Sequence, residues 1–220
     1  MSRIKIFVGH TGSGKSELAI NLAISSALSN HKVSLIDLDI VNPYFCIRDI
    51  KENLKRKYNI DVFSSLSEYR NAELMVLSKD IKEALINDNS IIIIDVGGDK
   101  EGAKVLKQYI NLIKKYTYDI NFVINTLRSD TRSLDQITYY IKTIEKISSL
   151  KVSNLICNTN LIDETTIDDI ILGERLVESV SKELKIPFIN TVIERKCEKN
   201  KNFINKDALI IDRFIKMPWK

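Results

Sequence analysis

The sequence predicts an α/β protein, a three-layer sandwich in which a mostly parallel, twisted sheet carries helices on both faces. Three observations predict it. Apolar, β-branched runs alternate with helix-period segments along the 220 residues, the pattern of parallel strands joined by right-handed helical crossovers. The runs are continuous rather than alternating, as strands buried on both faces require. The turn after the first run, Gly9-His10-Thr11-Gly12-Ser13-Gly14-Lys15-Ser16, matches G-x-x-x-x-G-K-S in full, a loop that joins a strand to a helix. The length suits one well-buried domain over 1–220.

Ile4 to Val8 reads as the first buried strand. In the loop that follows, Gly9, Gly12 and Gly14 let successive backbone N–H groups, those of His10, Thr11 and Ser13 included, curl around a phosphate. The next helix aims its positive end at the same anion, Lys15 reaches the β- and γ-phosphates, and the Ser16 hydroxyl suits Mg²⁺. Leu18, Ala19, Leu22, Ala23 and Ala27 give that helix an apolar face from Lys15 to about Leu28. A second strand from Lys32 brings Asp37 and Asp39 to its C-terminal end, where ligands of parallel sheets bind. Their i, i+2 spacing in an extended segment places both carboxylates on one side.

Pro43, Tyr44 and Phe45 then form a loop, either a switch or partner surface or ordinary packing, and a short helix is expected from Ile47 to Lys57. Ile60 to Phe63 suits a short strand, and Ala72 to Asn87 a helix. Ile91 to Ile94 followed by Asp95-Val96-Gly97-Gly98 is the Walker B pattern: a strand buried on both faces with a carboxylate at its tip for the metal's water shell. Gly98 lets a backbone N–H approach a γ-phosphate. Beyond it, helices are expected over Glu101–Tyr116, Ser133–Ser148 and Glu174–Leu184, and strands over Asp119–Asn125, Val152–Asn158 and Phe188–Ile193. Ala208 to Ile215 suits a strand or a helix equally. The Lys-rich piece from Lys196 to Lys206 reads as a solvated loop.

Composition narrows the function. The formal net charge is +4, spread evenly along the chain, so nucleic acid is not indicated. Three cysteines and two histidines at wide spacing offer neither a zinc site nor a disulfide framework. No apolar run approaches the ~20 residues of a membrane span, and the first strand begins too early for a signal peptide. A soluble, cytoplasmic protein is expected.

The coupling of this P-loop to a strand ending in Asp37-x-Asp39, and then to the Walker B strand, resembles the MinD/ParA/CobQ-type nucleotide-binding proteins of the SIMIBI class of P-loop NTPases. The resemblance covers most of the chain. It implies ATP and Mg²⁺ as ligands, with Asp37 supporting the metal through water and Asp39 positioning the attacking water. It further implies that Asn158, at the end of a later strand, contacts the base. MinD and ParA carry a signature lysine directly after the first glycine of the loop, which reaches the partner's phosphates across a dimer. Here that position is His10. Arg48, Arg128 and Arg132 are the alternative cations for charge on a transferred phosphoryl group.

The expected activity is an Mg²⁺-dependent ATPase that switches conformation and partner, with a protein partner or a homodimer completing hydrolysis. Two other readings stay open. One is an ATP-dependent small-molecule kinase or amide ligase of the dethiobiotin- or cobyrinate-synthetase kind. The other is a nucleotide-binding interaction module with negligible turnover. ATP is favoured over GTP because Asn158-Thr159-Asn160-Leu161-Ile162-Asp163 lacks the lysine of the guanine-reading N/T-K-x-D motif.

Overall fold

The computed structural model describes residues 2–39, 47–64, 78–87 and 89–215. The loop containing Pro43, Tyr44 and Phe45, the Arg48 side chain and the first part of the expected Ala72–Asn87 helix lie outside them. In chain order the elements are β1 (Ile4–Val8), α1 (Lys15–Leu28), β2 (Val33–Leu38), α2 (Lys51–Tyr58), β3 (Asp61–Ser64), α3 (Lys79–Ile86) and β4 (Ile91–Val96). There follow α4 (Lys100–Gln108), α5 (Ile110–Ile113), β5 (Tyr118–Ile124), α6 (Leu134–Ser148), β6 (Asn154–Cys157), α7 (Ile167–Leu184), β7 (Phe188–Glu194) and β8 (Asp207–Ile211).

The eight strands form one sheet in the order β3-β2-β4-β1-β5-β6-β7-β8, and every pairing is parallel. The continuous isoleucine run explains this. Ile92 and Ile94 face one layer and Ile93 the other, and all three are inaccessible to solvent. Helices α1 and α2 cover the face that carries Phe7, Leu35 and Ile93. Helices α3 to α7 cover the face that carries Ile6, Ile94 and Phe122. The three-layer sandwich expected from the sequence is thus present. The order in which strands are added switches sides at β1, whose neighbours are β4 and β5, so a crevice opens at the C-terminal strand ends there.

Several boundaries differ from the sequence reading, each for a local reason. The expected Glu101–Tyr116 helix is two helices that share Tyr109 as the cap between them. Helix α7 begins at Ile167, about two turns before Glu174, because Thr166 and Asp169 form a capping box. The Lys-rich piece is a run of 3₁₀ turns over Arg195–Phe203, held at the surface by paired contacts between Arg195 and Asp212 at 2.8 Å. The ambiguous C-terminal segment is a strand, β8, because β7 offers it an open edge from Asn190 to Glu194. Among the described residues no helix is long and apolar enough to cross a membrane.

Candidate functional site

The loop from Gly9 to Gly14 leaves the end of β1 and enters α1 at Lys15. Gly9, Gly12 and Gly14 adopt φ values of 146°, 77° and 87°, where side chains are disfavoured. The resulting curl is closed by the Ser13 N–H donating to the His10 carbonyl at 3.1 Å. Over it lies Lys15, whose buried ammonium donates to the same carbonyl at 3.1 Å. Burial draws its pKa down from the ordinary lysine value, and the carboxylates of Asp95, Asp39 and Asp99 oppose that shift. A desolvated ammonium attracts an incoming anion strongly because little water screens it.

The acids come from adjacent strands. Asp37 on β2 and Asp95 on β4 are register partners, and both are buried. The Ser16 hydroxyl donates to Asp95 Oδ2 at 2.5 Å, while Oδ1 is buried with no hydrogen-bond partner among the described residues. Burial pushes the Asp95 carboxyl up to about 7; Lys15 opposes the shift and Asp37 adds to it. Strand β2 stops at Leu38, and the Asp37 carboxylate bends over the strand end to accept the Asp39 N–H at 3.0 Å. Asp39 therefore lies beyond the strand and lines the cavity.

No group of three His, Cys, Asp or Glu side chains among the described residues gathers closely enough to bind a metal directly. Mg²⁺ does not need one, since it keeps several waters and takes one or two protein ligands beside phosphate oxygens. The Ser16 hydroxyl and the unpartnered Asp95 oxygen fit that demand.

Gly98 follows Asp95 by three residues and lies against the loop. A Cβ there would fall 2.4 Å from the Thr11 nitrogen, so only glycine lets the two backbones meet. The Tyr140 hydroxyl donates to the Gly98 carbonyl. The Tyr140 ring stands edge-on to His10, centroids 5.1 Å apart. His10 places Nδ1 2.9 Å from the Thr11 carbonyl and Nε2 3.3 Å from Asp130 Oδ2. Its side chain is thus occupied within its own chain and does not line the cavity.

That cavity, about 610 Å³, runs from Asp39, Ser16 and Lys15 at one end to Asn158, Ile162, Arg213 and Ile215 at the other. Thr11, Gly12 and Gly14 line it as well, whereas Gly9, Ser13, Asp37, Asp95 and Gly98 stand behind that lining. Asn158 donates from Nδ2 to the Ser13 carbonyl at 2.7 Å and covers Gly14. Arg128 lines the cavity, while Arg132 donates to the Leu127 carbonyl at 3.3 Å.

Sequence reasoning missed two groups of residues. Asn125 follows β5 directly and donates to the Gly12 carbonyl at 3.3 Å and the Asn160 carbonyl at 2.7 Å. Its Oδ1 accepts the N–H groups of Leu127 and Asn160. It ties the two ends of the cavity together, and its signal was the same one that marked Asn158: an Asn closing a buried strand. Glu17 and Asn21 on α1 hold the C-terminal segment. The Glu17 carboxylate accepts the Phe214 and Ile215 N–H groups at 3.0 and 2.8 Å, and Asn21 pairs with the Asp212 backbone in both directions at 2.8 Å. No sequence signal announces a contact between residues so far apart.

Comparison with known proteins bears on the fold and the family. No curated protein sequence gives a significant match. Among solved structures the chain is similar to chloroplast FtsY from Physcomitrella patens, with a TM-score of 0.58 and 17% identity over 87% of this chain and 58% of that one. It is similar to the cell division protein FtsY from Thermotoga maritima, with a TM-score of 0.58 and 17% identity over 86% of this chain and 61% of that one. FlhF complexed with GTP/Mg²⁺ matches with a TM-score of 0.50 and 16% identity over 99% of this chain and 68% of that one. The chain therefore spans about 60% of the FtsY chains it matches, and identities this low establish a shared fold alone. The sequence itself goes further: residues 4–195 match the CobQ/CobB/MinD/ParA nucleotide binding domain, and the chain belongs to that family.

Proposed function

We propose that this chain is an Mg²⁺-dependent ATP-binding protein that hydrolyses ATP and uses the reaction to switch conformation and partner, acting as a single nucleotide-binding domain over 1–220. The observation that carries the proposal is the buried Lys15 ammonium above a curl of backbone N–H groups, with the Ser16–Asp95 pair beside it. In this reading the amides from Gly9 to Gly14 and the Lys15 ammonium bind the phosphates. Ser16 holds Mg²⁺, which screens phosphate charge when bound, and Asp95 and Asp37 hold its water shell. Asp39 orients the attacking water, and the Gly98 N–H faces the γ-phosphate. Phosphoryl transfer needs little beyond positioning and charge stabilisation, so this inventory suffices.

ATP is preferred on two grounds. The Asn158 amide oxygen is buried with no hydrogen-bond partner among the described residues and can accept from the amino group of adenine. Asp163, the first acid after β6, is engaged by Lys196 at 2.7 Å. GTP is the rival, since the FlhF structure is described with GTP/Mg²⁺. A second copy or another protein is the proposed partner of the switch. Phosphate release from ATP and from GTP, with wild type and Asp39→Ala at saturating Mg²⁺, tests the reading. Asp39→Ala should keep ATP affinity within about threefold while turnover falls on the order of 100-fold, in the range for a positioned catalytic group. Undiminished turnover in that variant would refute the assignment of Asp39.

A further inference from the structure

His10 occupies the position from which a cation could reach phosphate, yet it is turned toward Asp130 and Tyr140. A different cation stands at the loop. Arg128 follows β5 in a turn closed by its own N–H donating to the Asn125 carbonyl at 3.2 Å. Asn125 is itself fixed to Gly12 and Asn160, so the backbone of Arg128 is anchored to the loop. The guanidinium donates from Nε to the Gly12 carbonyl at 3.3 Å. It fills the space in which a side chain at residue 12 would begin: an added Cβ would lie 3.0 Å from Nε and 3.2 Å from Cζ. Gly12 thus makes room for Arg128 as well as for its own left-handed backbone.

Two further facts separate Arg128 from the other arginines. It lines the cavity together with Thr11, Lys15 and Asp39, which Arg132 does not, and Arg48 falls outside the described side chains. No carboxylate pairs with it among the described residues, because the nearby Asp130 is taken by His10 and Ser129. An unpaired guanidinium facing an anion site keeps four of its five N–H donors after the Gly12 bond, and its planar fork matches phosphate oxygens.

We propose that Arg128 is a cation of the phosphate site supplied in cis, pairing with the oxygens of a bound triphosphate and making charge from a second copy unnecessary for hydrolysis. The inference rests on the reading of the cavity as a nucleoside triphosphate site. During hydrolysis the water oxygen bonds to the γ-phosphorus while the bridging P–O bond breaks and its electron pair stays with the diphosphate. The water proton passes to phosphate or solvent. Arg128 forms and breaks no bond; it offsets charge on the oxygens.

The test uses the full chain as wild type, Arg128→Ala and Arg128→Lys, with folding checked by thermal melting. Affinities for ATP and AMP with Mg²⁺ are measured by calorimetry, and single-turnover rates are measured across a range of protein concentrations. The expected result is a wild-type rate per chain independent of protein concentration. In Arg128→Ala the ATP-to-AMP affinity ratio should fall on the order of tenfold or more, with partial recovery in Arg128→Lys. An affinity ratio and rate unchanged in Arg128→Ala would overturn the inference while leaving the nucleotide reading intact, as would a wild-type rate that rises with protein concentration. Wild type that binds neither nucleotide would overturn the nucleotide reading, and the role of Arg128 with it.

Discussion

The two ends of the cavity are built differently. At the phosphate end, one short stretch of chain supplies nearly everything: three left-handed glycines, Lys15 and Ser16, backed by Asp37 and Asp95 on neighbouring strands. Lys15, Asp37 and Asp95 there are buried. At the other end, Asn158, Ile162, Glu194, Arg213 and Ile215 come from separate loops and strands. Arg213 and Glu194 form a partly exposed ion pair there and Lys196 pairs with Asp163 nearby, while Asn158 is tied to the Ser13 carbonyl and Ile215 to Glu17. Buried charges interact strongly because water does not screen them, and exposed pairs contribute little. The phosphate end should therefore dominate affinity, and the other end should adjust which base is preferred.

The largest effect that would sharpen this contrast is Lys15→Ala. Triphosphate affinity should fall on the order of 100-fold or more, as truncation of a buried charged partner does. Calorimetry reads the loss, and an affinity within threefold of wild type would break the contrast.

Next in size is the cost of burying Asp95. Its folded-state pKa lies near 7 against an ordinary value of 3.8, so its favourable contribution is complete below the unfolded value and is lost as pH rises through about 7. In metal-free, nucleotide-free protein, Asp95→Asn keeps an acceptor for Ser16 and removes the buried charge. It should match wild type near pH 4 and gain roughly 2–4 kcal/mol above pH 8, visible as a higher melting temperature. A stabilisation independent of pH would contradict the burial account.

The smallest effect belongs to the opposite end. Arg213→Ala should cost less than about 1 kcal/mol of stability and change the ATP-to-GTP affinity ratio more than it changes affinity for inorganic triphosphate. A larger effect on inorganic triphosphate would reverse the assignment of the two ends.

This contrast also decides what the sequence could disclose. The phosphate end is legible because each of its demands is local: a glycine where φ is positive, a lysine at the helix start, an aspartate closing an isoleucine run. The sheet is legible for the same reason, since strands buried on both faces must be apolar throughout. The start of α7 was written in Thr166-x-x-Asp169, but apolar periodicity grows clear only from Glu174 onward. Asn125 looked like any Asn in an Asn-rich chain, and its importance lies in the four hydrogen bonds it makes. Nothing near Glu17 points to Phe214, and β8 became a strand only through its pairing with β7. Contacts that tertiary packing alone creates leave no periodicity and no motif.

The most direct test of the central claim is a calorimetric series with wild-type protein and Mg²⁺: ATP, AMP, adenosine and inorganic triphosphate. The account predicts that ATP binds orders of magnitude more tightly than adenosine, that inorganic triphosphate retains most of that advantage, and that AMP lies near adenosine. Adenosine binding as tightly as ATP would contradict it, because the site would then be organised around the base and not around Lys15.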